Sequence, residues 1–88
     1  MKIYNSVREY IKDYKVGDII IFPPETETLR PIEQFRKVNA SIVDKVDDKV
    51  IHLHSSLNSD VVYYYSIGRG RKVLVITQEE LNKLEDYH

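Results

Sequence analysis

The apolar positions of the chain start at helical spacing, pass into β-branched runs and alternation, and return to helical spacing at the end. Ile3, Val7, Tyr10 or Ile11, and Tyr14 recur at intervals of three and four, which places them on one helix face. Ser6 stands three residues before Glu9, the spacing at which each side chain satisfies the other's free amide. A first helix over 6–14 follows. Gly17 ends it, and Asp18-Ile19-Ile20-Ile21-Phe22 is a β-branched run suited to a buried strand. Pro23-Pro24 stops that strand.

From Glu25 to Gln34 the chain is polar and interrupted by Pro31. This is the longest loop, with a helical turn expected over 31–35. Val38, Ala40 and Ile42 then alternate with Lys37, Asn39 and Ser41, a half-buried strand that runs on to about Val46. Asp47-Asp48 supplies a turn. The return strand, Val50 to Ser55, places Ile51 and Leu53 on one face and His52 and His54 on the other. Val61 to Ile67 and Arg71 to Ile76 are two further strands separated by Gly68-Arg69-Gly70, and the pattern predicts that they pair as a second hairpin.

Thr77 and Glu80 repeat the capping box, and Ile76 and Leu81 occupy the positions of a hydrophobic staple. A short final helix over 77–86 carries Leu81 and Leu84 on its apolar stripe. The expected organisation is one α+β domain over 1–88: helix 6–14, barrel 17–76 and helix 77–86. Five short antiparallel strands suit a sheet that curls toward closure and so limits its edges.

In order of elements the chain resembles the SH3-like small β-barrels, and Lys15-Val16-Gly17-Asp18-Ile19-Ile20-Ile21-Phe22 resembles the opening strand that many of them carry. The resemblance covers about Lys15 to Leu81. It implies a partly open barrel and no particular activity, because that fold hosts toxins, adaptors, ribosomal modules and phage proteins.

Composition narrows the function classes. Eighty-eight residues accommodate one core and no cofactor domain. A hydrophobic content of 42% with 31% charged residues is that of a chain that folds alone. Thirteen basic and fourteen acidic side chains leave a net charge of −1, so attraction to nucleic acid or an anionic membrane requires a local patch. The lack of cysteine excludes disulfides and thiolate zinc sites. The first fourteen residues contain no continuous apolar run, so neither a signal peptide nor a membrane span is expected there. A cytoplasmic protein is expected, and the abundance of Tyr, Ile, Lys and Asn suggests the AT-rich coding sequence of a bacterium, phage or mobile element.

The foremost candidate surface is the turn Gly68-Arg69-Gly70-Arg71-Lys72, directly after Tyr63-Tyr64-Tyr65. Alternation puts Tyr63 and Tyr65 on one strand face and Tyr64 on the other, so at least one tyrosine is exposed. Tyrosine beside arginine is a typical protein-interface anchor pair. Cations beside aromatics also suit phosphate contacts and base stacking. Arg30 and Arg36 on the long loop complete the candidate contact set: Tyr63, Tyr64, Tyr65, Arg69, Arg71, Lys72, Arg30 and Arg36. A protein partner is favoured, nucleic acid is the alternative, and a homodimer through an exposed edge or tyrosine face is a third form of the same reading.

Other constellations carry less chemistry. His52 and His54 share a face and need a third ligand, such as His88, to hold a metal. Arg30-Pro31 after a Gly-Asp strand resembles the ribonuclease toxins of the PemK type, but Ile32-Glu33-Gln34-Phe35 departs from that family, which continues there as a strand. No serine lies on a Gly-x-Ser-x-Gly turn, and Gly68-x-Gly70 lacks the third glycine and the helix of a phosphate loop. Glu25, Glu27 and Glu33 read as solvated loop acids. The sequence therefore predicts a non-enzymatic interaction protein without cofactor or metal.

Overall fold

The computed structural model describes residues 1–23, 31–55, 57 and 60–84. The strands are β1 (Lys2–Tyr4), β2 (Ile19–Ile21), β3 (Ala40–Val46), β4 (Val50–Ser55), β5 (Val62–Ser66) and β6 (Val73–Ile76). The helices are α1 (Val7–Tyr10) and α2 (Gln78–Lys83), with 3-10 turns at Ile32–Gln34 and Lys37–Asn39. The strands form one antiparallel six-stranded sheet in the order β1-β6-β2-β3-β4-β5, so β1 and β5 are its edges and do not pair with each other.

Three expectations change, the first at Lys37–Asn39, which form a 3-10 turn with Val38 exposed, so that the strand expected from their alternation begins only at Ala40. The five-stranded sheet becomes six-stranded because Lys2–Tyr4 pairs with β6, Ile3 lying across from Leu74. Ile3 at helical distance from Val7 disguised a strand too short to show its own period. Nor do β5 and β6 form a hairpin. β5 pairs with β4, whereas β6 lies between β1 and β2. The segment 68–72 is therefore a crossover from an edge to the sheet interior. The physical reason lies in Val73-Leu74-Val75-Ile76: it is apolar on both faces, and such a strand belongs where both faces are covered.

The sheet has a packed layer on each side. On one, Val7 and Tyr10 of α1 meet Ile20, Val43, Ile51, Leu53 and Val73. On the other, Leu81 and Leu84 meet Ile19, Ile21, Ala40, Leu74 and Ile76, with Phe35 packed among them. This explains why all three isoleucines of β2 are buried, each such side chain contributing about 1.5–3 kcal/mol.

Local chemistry sets where each element begins. Ser6 Oγ accepts from the Glu9 N–H at 3.1 Å, but the Glu9 carboxylate accepts from the Asn5 N–H rather than from that of Ser6, so only half of the expected box is made. The helix lasts one turn and continues in the turns of Ile11–Asp13. Gly17, at φ 93°, reverses the chain and donates its N–H to Val43. At α2 both halves of the Thr77–Glu80 box are made, at 2.9 and 3.1 Å. Among the described residues no helix is long and apolar enough to cross a membrane.

Candidate interaction surface

β5 positions the tyrosines. Tyr63 lies across from Leu53 and Tyr65 across from Ile51, so both face the α1 side of the sheet, while Tyr64 lies across from His52 on the other. The expected alternation holds, and the neighbours on β4 identify the core face: Ile51 and Leu53 are buried. Because β5 is an edge strand, burial fades along it. Tyr65 is half-buried, but Tyr63 and Tyr64 remain 50% and 64% exposed. Val62 before them is also exposed.

Tyr65 is the organising residue. Its ring stacks on Phe22, with centroids 4.0 Å apart and planes 7° from parallel. The Arg69 and Arg71 guanidinium carbons stand 5.5 and 5.9 Å from the same ring, within cation–π range. Arg71 also donates to the Pro23 carbonyl at 2.8 Å, tying the crossover to the end of β2. Part of the cationic cluster is thus structural. Ser66 completes the bend: its hydroxyl accepts from the Gly68 N–H and its carbonyl from the Arg69 N–H.

Beside this stack lies a groove of about 350 Å³ whose walls include Phe22, Val38, Ser41, Leu53, Tyr63 and Tyr65. Phe22 and Val38 were not among the sequence candidates. Phe22 read only as the last residue of a strand, and its proximity to Tyr65 depends on the pairing of β2, β3, β4 and β5. The Tyr65 hydroxyl is buried and has no hydrogen-bond partner among the described residues.

The remaining candidates scatter. Lys72 turns away to donate to Asn5 Oδ1 at 3.3 Å. Arg36 is exposed at the start of the second 3-10 turn, where its N–H donates to Asn39 Oδ1 at 3.0 Å. Arg30 and His88 lie outside the described residues.

The histidines occupy the face opposite the groove, each against a carboxylate of β3 or its turn: His52 Nε2 is 2.5 Å from Asp47 and His54 Nδ1 is 2.6 Å from Asp44. A register shift between Val43 and Lys45 supplies the extra residue, Asp44, that reaches His54. His52 also meets Tyr64 edge-on, with centroids 4.7 Å apart. Among the described residues no three His, Asp or Glu side chains gather as a metal site.

No protein family, curated protein or solved structure matches the chain.

Proposed function

We propose that this chain is a non-enzymatic interaction protein that binds another protein through the edge formed by Val62, Tyr63 and Tyr64, the groove beside Tyr65 and the Arg69 turn. The observation that carries this reading is the run of exposed apolar side chains on an edge strand, next to a preformed aromatic groove. Isolated exposed hydrophobics are ordinary, but a contiguous set with aromatic and arginine anchors is characteristic of contact surfaces. The groove lies on a rigid stack, so binding there requires little ordering.

The nucleic-acid alternative draws on the same cations. Arg71 already serves the Pro23 carbonyl and Lys72 points to Asn5, which favours the protein reading. At the level of fold, the SH3-like partly open barrel remains our proposal: the meander β2-β3-β4-β5 and the return of β6 beside β2 support it. A cytoplasmic accessory or inhibitor protein of a bacterial phage or mobile element is the setting proposed from size and composition.

The test is affinity capture from a bacterial lysate at low and high salt, with and without nuclease. A captured protein that survives both treatments and is lost with Tyr64→Ser supports the reading. Material lost to both treatments and to Arg69→Glu points to nucleic acid instead, since phosphate-driven binding falls steeply with salt.

A further inference from the structure

We draw no further inference here: the strongest candidate, the outer edge of β5 with the apolar groove beside it at Phe22, Val38 and Tyr63, belongs to the contact surface already described, and nothing in the structure shows what covers it.

Discussion

Tyr65 lies flat against Phe22, with ring centroids 4.0 Å apart, and this stack joins the edge of the sheet to the end of its central strand β2. Removing either ring opens the wall of the groove. Tyr65→Ala should cost about 2 kcal/mol, less than a fully buried aromatic because Tyr65 is half-exposed. Tyr63→Ala and Tyr64→Ala should stay within about 0.5 kcal/mol of wild type. Urea denaturation of the three variants checks the contrast.

The crossing of α1 over β2 depends on Tyr10, whose hydroxyl donates to Asp18 at 2.6 Å while the Lys15 N–H donates to the same carboxylate oxygen. Burial, and then the bond to Asp18, push the Tyr10 phenol well above its ordinary value of 10.0. A raised value in the folded state means stability that is complete below the unfolded value and is lost as pH rises toward the folded one. In a spectrophotometric titration the Tyr10 phenol should ionise together with alkaline unfolding, above its ordinary value. Tyr10→Phe should cost about 1–3 kcal/mol at neutral pH, because it removes a bond to a charged acceptor.

At α2, the Thr77 N–H donates to Glu80 Oε1 and lowers the carboxyl below its ordinary 4.5. A lowered value gives stability that is present above 4.5 and is lost as pH falls through the folded value. Glu80→Gln should flatten this acid limb of the stability profile. Thr77→Ala should cost about 1 kcal/mol at neutral pH through loss of the cap. Thermal melts across the acid range distinguish the two variants.

Gly17 is the position where backbone conformation alone constrains the residue. A side chain there meets nothing within 4 Å, yet φ is 93°. Gly17→Ala should therefore cost about 1–2 kcal/mol through conformation rather than clash, measurable by chemical denaturation.

What was legible in the sequence was mostly local. The Thr77–Glu80 box, the helical turn after Pro31 and the opposed faces of Ile51 and His52 all emerged where adjacent residues specify one conformation. Pairing between distant segments was not legible. Lys2–Tyr4 is too short to display a period, and the glycines at 68 and 70 signal a bend without saying whether the chain returns beside the same strand or crosses to another. The candidate surface divided in the same way. Alternation separated Tyr64 from Tyr63 and Tyr65, but that Phe22 would meet Tyr65, or that Arg71 would be engaged by Pro23, depends on strand order.

Capture from a lysate by wild type and by the double variant Tyr63→Ser/Tyr64→Ser, matched for stability, tests the central claim most directly. The account predicts a protein retained in high salt and after nuclease by wild type and lost with the double variant. Equal retention by both would contradict it.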